Sequence, residues 1–200
     1  MSEIQIHKEM VTLMCKVVNL RTDMRYVRTS FAKANDLCLG REMVAAEVGV
    51  FEGINAKYML LTRRDLKLYL VDAWDNMVVY TGGPLQSPGY GEIVKGAARF
   101  NMTGFEDRVH FTFKNSEDAV KEVEDESFDY VYIDGDHAHD PVLRDMKLWY
   151  PKVKKGGVLG GHDAKMHEVL SAVEIFVKEN KIINWGMDNE PEQSDWWIYK

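Results

Sequence analysis

From Met43 onward the chain alternates short β-rich apolar runs with segments of helical periodicity. That order is typical of βαβ units, in which parallel strands form one sheet and helices cover its two faces. Five of the apolar runs predict strands at residues 44–50, 67–71, 109–113, 130–133 and 157–160. We therefore expect an α/β fold built on a doubly wound, mostly parallel sheet.

Two further β-rich runs, at residues 181–185 and 195–199, bring the predicted sheet to seven strands. The connection between them contains Asn189, Glu190 and Pro191 and is too short for a crossover helix. This last pair is therefore predicted to be antiparallel, so that the sheet ends in one antiparallel strand.

The rest of the chain is predicted to belong to the same unit. Residues 1–42 carry apolar side chains at roughly helical spacing, which predicts an N-terminal helical extension that either packs over the rim of the sheet or covers a substrate. No stretch has the composition of a linker, so we expect a single domain over residues 1–200 with its core at 43–200.

The composition disfavours several classes of protein. The 200 residues are 46% hydrophobic and 28% charged, which is the balance of a globular protein able to bury a core without disulfides. The net charge of −7 disfavours nucleic acid as a partner, because proteins that bind it usually carry a basic face. Cys15 and Cys38 lie outside any zinc-ligand spacing. No apolar run approaches the roughly eighteen residues of a membrane span, and no signal peptide is seen, so we expect a cytoplasmic protein with no membrane partner.

Acidic and imidazole groups follow the fourth and fifth predicted strands. Neighbouring strands of an open parallel sheet end along one rim, which is where α/β proteins bind their ligands. We therefore expect one cleft to be lined by Asp134, Asp136, His137, His162 and Asp163.

Other residues of this region have simpler explanations beside the functional ones. Asp136 is explained equally well as a cap of the following helix, and His139 as part of that helix start. Asp145 is expected to be a surface or strand-end anchor. Trp149 is expected to lie in the core, as is most of the aromatic cluster at Trp196.

The turn after the first strand contains Gly49 and Gly53. Glycines at this point let the backbone approach a ligand closely, although a purely structural tight turn is also consistent with them. The spacing is Gly-x-x-x-Gly and lacks the Gly-x-Gly-x-x-Gly pattern of dinucleotide-binding proteins. Glu47 and Glu52 would repel a pyrophosphate and suit a ligand with a positive charge, such as a sulfonium or an ammonium group.

Two later strand ends complete the predicted ligand cleft. Asp72 ends the second strand 19 residues beyond Gly53, where doubly wound folds place an acid that accepts hydrogen bonds from ribose hydroxyls. A turn or capping aspartate is the alternative. The run Asn115-Ser-Glu follows the third strand, where the topology would place an adenine.

Together these residues resemble the class I S-adenosylmethionine-dependent methyltransferases, which have a Rossmann-like fold. The resemblance rests on Glu47-Val-Gly-Val-Phe-Glu-Gly, Asp72 and Asn115-Ser-Glu. Within that class, the chain is similar to the small-molecule, sugar-type O-methyltransferases at Ile133-Asp-Gly-Asp-His, Leu148-Trp-Tyr-Pro, Lys155-Gly-Gly and Gly161-His-Asp. The resemblance implies S-adenosylmethionine as cofactor, bound by Glu47, Gly49, Val50, Phe51, Gly53, Asp72, Ala73, Trp74, Asn115, Ser116 and Asp134.

The same resemblance implies a divalent metal, Mg²⁺ or Mn²⁺, with His137 as catalytic base. The implied ligands are Asp134, Asp163 and His162, and Asp134 would also belong to the catalytic set. The chain departs from its relatives at two positions. His162 stands where sugar-modifying members carry a carboxylate, and imidazole suits manganese, iron or zinc better than magnesium. Ala164 stands where catechol-type members carry an Asn.

The expected function is metal-assisted O-methylation of a small-molecule hydroxyl. One alternative is a relative that binds the cofactor without catalysis. Another is a nucleotide-dependent oxidoreductase, which the missing glycine pattern and the lack of a Tyr-x-x-x-Lys pair disfavour. The residues before position 40 and the glycine-rich segment 74–91 are expected to shape the acceptor pocket. The sequence leaves the acceptor and the oligomeric state open.

Overall fold

The computed structural model describes residues 27–74, 89–188 and 194–200. Its strands are β1 (Met43–Val48), β2 (Leu66–Val71), β3 (Val109–Thr112), β4 (Phe128–Ile133), β5 (Val153–Gly161), β6 (Trp185–Met187) and β7 (Trp196–Tyr199). Its α-helices are α1 (Thr29–Leu37), α2 (Ile54–Thr62), α3 (Tyr90–Asn101), α4 (Ser116–Ala119), α5 (His139–Trp149) and α6 (His167–Glu179). Short 3₁₀ turns follow α4 and α5.

The seven strands form one sheet in the order β3-β2-β1-β4-β5-β7-β6. Strands β1 to β5 are parallel, and β7 is antiparallel to both of its neighbours, β5 and β6. The doubly wound, mostly parallel sheet and the antiparallel last pair are thus confirmed. Each of the first five predicted strands corresponds to an observed one, with β4 and β5 starting earlier than predicted.

The sixth strand was predicted at the wrong place. Residues 181–184 are not extended: Lys181 has a φ of +55°, and the Ile182 amide donates a hydrogen bond to the carbonyl of Val177. These residues end α6, because a left-handed residue followed by a backward hydrogen bond closes the last helical turn. The strand therefore begins at Trp185, where the prediction ended.

The sheet is buried on both faces, as a parallel sheet with crossover helices must be. Every residue of β4 is buried: Tyr130 and Tyr132 face the layer formed by α1, α2 and α3, whereas Val131 and Ile133 face α5 and α6. Two apolar cores result, one under each helical layer. Trp149, at the end of α5, is fully buried in the second core, as predicted.

Helix α1 is the described part of the predicted N-terminal extension. It packs against β5 so closely that a Cβ on Gly160 would lie 2.6 Å from the Cβ of Ser30. Three parts of the chain lie outside the described residues. They are residues 1–26, residues 75–88, which make up most of the glycine-rich segment, and the predicted connection at Asn189, Glu190 and Pro191. Among the described helices, none has the length and apolarity needed to cross a membrane.

The chain reverses its winding direction between β1 and β4, which lie side by side at the centre of the sheet. In doubly wound sheets, ligands bind at the carboxyl ends of the strands at such a switch point. The turns that follow β1 and β4 are also joined, because the Asp134 amide donates to the Val48 carbonyl over 2.8 Å. The predicted cofactor and catalytic residues therefore meet at one rim.

Candidate active site

Two aspartates and two histidines form a cluster at the ends of β4 and β5. His137 Nδ1 lies 3.2 Å from Asp163 Oδ2, and His137 Nε2 lies 3.5 Å from Asp134 Oδ1. His162 Nδ1 lies 3.3 Å from Asp163 Oδ1 and 3.6 Å from Asp134 Oδ1. Each side chain is about a quarter exposed, so the cluster is open to a ligand while shielded from bulk water. Of the five side chains expected to line one cleft, these four lie together in the structure.

Contacts between carboxylate and imidazole groups shift two pKa values in the cluster. The hydrogen bond with Asp134 raises the pKa of His137, with further support from the charge of Asp163, although burial opposes the shift. The hydrogen bond with His162 lowers the pKa of Asp163. Asp163 is thus suited to remain ionised, and a proton or a cation can lie between it and Asp134.

Three of these side chains can hold a metal ion. One ligand atom from each of Asp134, His162 and Asp163 lies within 4.8 Å of the other two. Two carboxylates and one imidazole fit a first-row divalent ion such as Mn²⁺, whereas Mg²⁺ prefers oxygen ligands alone. Ala164 adds no ligand, because it is buried and its amide donates to the Ser194 carbonyl.

The glycine turn after β1 is pressed against the strand that carries Asp134. Gly49 has a φ of +86°, and a Cβ there would lie 2.3 Å from the carbonyl oxygen of Asp134. Only glycine can occupy this position, because both the backbone conformation and the contact exclude a side chain. Gly53, with a φ of +72°, begins α2 in the left-handed conformation.

Asp72 organises the turns around it. Its Oδ2 accepts hydrogen bonds from the amides of Val50 and Phe51 over 2.9 and 3.0 Å, and its Oδ1 accepts one from the amide of Trp74 over 2.7 Å. The Trp74 indole in turn donates to the Phe51 carbonyl over 2.9 Å. The turn-aspartate alternative is therefore realised. A carboxylate oxygen accepts more than one bond, so a ribose contact is compatible with this arrangement.

Glu47 contributes an orphaned buried oxygen to the same turn. The side chain is 2% exposed, and its Oε1 accepts from the Asn55 amide group over 3.0 Å. Its Oε2 has no hydrogen-bond partner among the described residues. Burial raises the pKa of Glu47 to about 8. A buried carboxyl oxygen without a donor fits a ligand with an ammonium or sulfonium group, as the implied cofactor has.

Asn115 and Ser116, both predicted to lie on the adenine side, have different surroundings in the structure. Asn115 caps α4 by accepting from the Asp118 amide over 2.8 Å. It also lines an open cavity of about 510 Å³, whose walls are formed by Ala73, Phe113, Lys114, Asn115, Asp118, Lys121 and Glu122. Ser116 is not among these wall residues.

Ser116 belongs instead to a polar contact between α4 and α5. It donates to Asp145 Oδ1 over 2.7 Å and accepts from the Trp149 indole over 2.8 Å. Asp145 is 5% exposed, so the predicted surface location was wrong, although its anchoring role agrees with the second of the two expected roles. Burial raises the pKa of this carboxyl to about 6.

Other polar residues of the sheet and of the turn before α5 make local structural contacts. Asp136 Oδ1 accepts from the Ala138 amide over 2.9 Å, a turn contact before α5. The N-cap of α5 is Ala138, so the predicted capping of that helix by Asp136 is not observed. His139 Nδ1 lies 2.7 Å from Asp140 Oδ1, so its partner is an exposed acid outside the cluster. His110, on the edge strand β3, packs against Tyr69 with the two rings tilted by 48° at a centroid distance of 5.1 Å.

Sequence reasoning missed a polar network behind the cluster. Asp195 is fully buried and accepts from the amide and the hydroxyl of Ser30 over 3.2 and 2.6 Å. Tyr132 donates to the same carboxylate over 3.2 Å, and Arg28 Nη1 lies 3.8 Å from it. Tyr132 and Ser30 lie 63 and 165 positions from Asp195 in the chain, and Arg28 lies farther still, so no spacing pattern could reveal them.

Comparison with known proteins finds one family whose sequence profile matches this chain. The sequence profile of one family, described as a methyltransferase domain, matches residues 46–164. A curated protein of Acanthamoeba polyphaga mimivirus is 28% identical over 122 residues, which is 59% of this chain and 50% of that protein. The matched part thus spans about half the length of this relative.

Solved structures share the fold at low identity. The O-methyltransferase NovP superposes with a TM-score of 0.63 at 16% identity, covering 86% of this chain and 77% of that one. A putative caffeoyl-CoA O-methyltransferase from Staphylococcus aureus gives 0.62 at 14% identity, covering 96% and 98%. A spermidine synthase from Thermotoga maritima gives 0.58 at 14% identity, covering 86% and 57%. These likenesses establish the Rossmann-like fold and leave the reaction to the residues of the site.

Proposed function

The chain belongs to the methyltransferase-domain family, within the class I enzymes that depend on S-adenosylmethionine, and we propose that it methylates a hydroxyl group of a small molecule with the help of a divalent metal. The observation that carries the proposal is the contact between the two halves of the site. Gly49 of the cofactor turn lies against the carbonyl of Asp134, whose side chain belongs to the acid-histidine cluster. A methyl donor held at the turn would therefore adjoin an acceptor held at the cluster.

The cofactor supplies an electrophilic methyl group, and a bound metal would lower the pKa of the acceptor hydroxyl. Asp134, His162 and Asp163 would hold the metal, since their ligand atoms lie within 4.8 Å of one another. Glu47 and the turn at Gly49 would hold the positively charged end of the cofactor. Methyl transfer then needs alignment and proton removal, without a covalent enzyme intermediate.

His137 is the residue assigned to proton removal. It lies within hydrogen-bonding reach of Asp163 and close to Asp134, so it adjoins any oxygen bound between them. As the acceptor oxygen bonds to the methyl carbon and the carbon–sulfur bond breaks, the proton of the hydroxyl passes to the imidazole. The two aspartates would orient the ring and stabilise the imidazolium that forms.

The first test is calorimetric titration of the purified protein with S-adenosylmethionine, S-adenosylhomocysteine and NAD, with Mg²⁺, Mn²⁺ or chelator present. We expect the first two ligands to bind and NAD not to bind. Failure of both adenosyl ligands would contradict the cofactor assignment. Binding of NAD would favour the oxidoreductase alternative.

A second test separates catalysis from binding. With a panel of hydroxyl compounds as acceptors, chelator should abolish methyl transfer and leave S-adenosylhomocysteine affinity unchanged. Asp163→Asn should reproduce the effect of chelator, whereas Asp140→Asn, at an exposed acid outside the cluster, should not. Transfer that persists fully in chelator would exclude metal assistance, and binding without transfer to any acceptor would favour the non-catalytic alternative.

A further inference from the structure

Arg28 brings a guanidinium group to the edge of the acidic cleft. It immediately precedes α1, and its side chain is 24% exposed. Burial would lower its pKa, but Tyr132, Asp195 and Asp134 together raise it above the ordinary value. The same charge acts on Glu47 and Asp163, so the guanidinium lies within electrostatic range of both the cofactor turn and the cluster.

The hydrogen-bond donors of this guanidinium are not used by the described part of the chain. The closest carboxylate oxygen, Asp195 Oδ1, is 3.8 Å from Nη1, which is beyond hydrogen-bonding distance. Asp195 already accepts three hydrogen bonds, two from Ser30 and one from Tyr132. Arg28 therefore balances a buried charge at a distance, and the part of the chain that the structure describes leaves its planar donor face for another anion.

The charges around Arg28 are complementary to a zwitterion. Glu47 offers a buried oxygen without a partner, and Asp134 lies beside the same turn. Such groups attract an ammonium or a sulfonium, and Arg28 adds a site for a carboxylate. The amino-acid end of S-adenosylmethionine carries an ammonium group and a carboxylate on the same carbon.

We propose that Arg28 binds the carboxylate of the cofactor's amino-acid end, and the inference rests on the cofactor assignment of the proposed function. The guanidinium is suited to this task because its fork of N–H groups matches both oxygens of a carboxylate. The Ser30–Asp195 contacts hold the start of α1 in place and thereby position Arg28 over the cleft.

The test compares two ligands that differ at that end. S-adenosylhomocysteine carries the amino-acid group, and 5′-methylthioadenosine lacks it. Titration of Arg28→Met should show S-adenosylhomocysteine affinity lowered about 10- to 100-fold, the range for loss of a charged hydrogen bond. Affinity for 5′-methylthioadenosine should change by less than about twofold. Lys33→Met is the matched control, because Lys33 is another cation of α1 that lies over the Trp197 ring.

Three outcomes would overturn the proposal: unchanged S-adenosylhomocysteine affinity in Arg28→Met, an equal loss for both ligands, or the same loss in Lys33→Met. Arg28→Lys provides the second variant if Arg28→Met does not fold. It keeps the charge without the planar fork, so a smaller loss confined to S-adenosylhomocysteine is expected. Failure of the wild-type protein to bind S-adenosylhomocysteine would instead refute the proposed function itself.

Discussion

At the scale of single residues, the proton acceptor of the site can be tested through its pH dependence. The hydrogen bond with Asp134 raises the pKa of His137 above its ordinary value of about 6.5. A base must be neutral to accept a proton, so turnover should rise with pH as His137 loses its proton. His137→Gln should lower kcat by about 10²- to 10⁴-fold and remove this limb of the pH profile.

The readout is kcat against pH for the wild-type and variant enzymes, together with calorimetry of S-adenosylhomocysteine. Cofactor affinity should change by less than about twofold, because the contacts of His137 with Asp134 and Asp163 belong to the acceptor side of the site. His139→Gln is the control, since that histidine pairs with Asp140 instead. A variant that loses cofactor affinity to the same extent as turnover would contradict the assignment.

Glu47 gives a second prediction at this scale, in which a functional group destabilises the fold. Burial raises its pKa from 4.5 to about 8. Between those two pH values the folded protein holds a proton that the unfolded chain releases, so this group makes the free energy of unfolding fall as pH rises. Glu47→Gln removes that dependence. The variant should be more stable than wild type by about 4 kcal/mol at pH 8, with little difference near pH 4.5.

Urea unfolding at a series of pH values measures this effect. The same change at Glu52, which is only partly buried, should leave the pH dependence as it is in wild type. Glu47→Gln should also weaken S-adenosylhomocysteine binding, because the cofactor would lose its buried carboxyl partner. Stability that stays parallel to wild type across the pH range would show that Glu47 is ionised in the folded protein.

At the scale of elements, the attachment of α1 depends on one hydroxyl group. Ser30 is fully buried, donates to Asp195 and is paired with the Tyr130 hydroxyl over 2.7 Å. Ser30→Ala would leave the buried carboxylate short of a donor, at a cost of about 1–3 kcal/mol in the free energy of unfolding. Urea unfolding would measure it. Ser127→Ala is the control, because its hydroxyl bonds a carbonyl in an exposed turn, and a loss of equal size there would contradict the prediction.

The elements show which parts of the fold a sequence can reveal. Strands β1 to β5 were predictable because each is an apolar run between helical segments, and that pattern is local. The sixth strand was misplaced because Ile182 and Ile183 have β propensity that the structure overrides. Ile182 closes α6 through its amide, and Ile183 is 97% exposed, so both belong to a helix end and a turn. Local β propensity does not predict that Lys181 adopts a left-handed backbone conformation.

Some residues of the candidate site could likewise be predicted from the sequence, and others could not. Asp134 and Asp163 could be predicted because they directly follow apolar runs, and strand order brings such ends together. Arg28 and Asp195 could not, because their contact joins the first described helix to the last strand and follows no spacing rule. Asp145 looked like an exposed helix acid, and only the packing of α4 on α5 shows that it is buried.

At the scale of the whole molecule, the candidate cofactor cleft lies where the two halves of the sheet meet. The turn after β1 contributes Gly49, and Asp134 follows the adjoining strand β4, so a ligand in the cleft contacts both halves and requires the folded sheet. A ligand that binds only the folded state at 100 times its Kd adds about 2.7 kcal/mol to the free energy of unfolding. For a chain of this length, that corresponds to a rise in Tm of about 5–10 °C.

Thermal unfolding with and without S-adenosylhomocysteine measures this rise, with NAD as the control ligand. Gly49→Ala is the control variant, because its Cβ would lie 2.3 Å from the Asp134 carbonyl and push the two halves apart at the cleft. That variant should have a lower Tm than wild type and gain little from the ligand. A shift of the same size in Gly49→Ala would mean that the ligand binds elsewhere, since a site between the two turns cannot survive their separation. A shift of the same size with NAD would favour the oxidoreductase alternative.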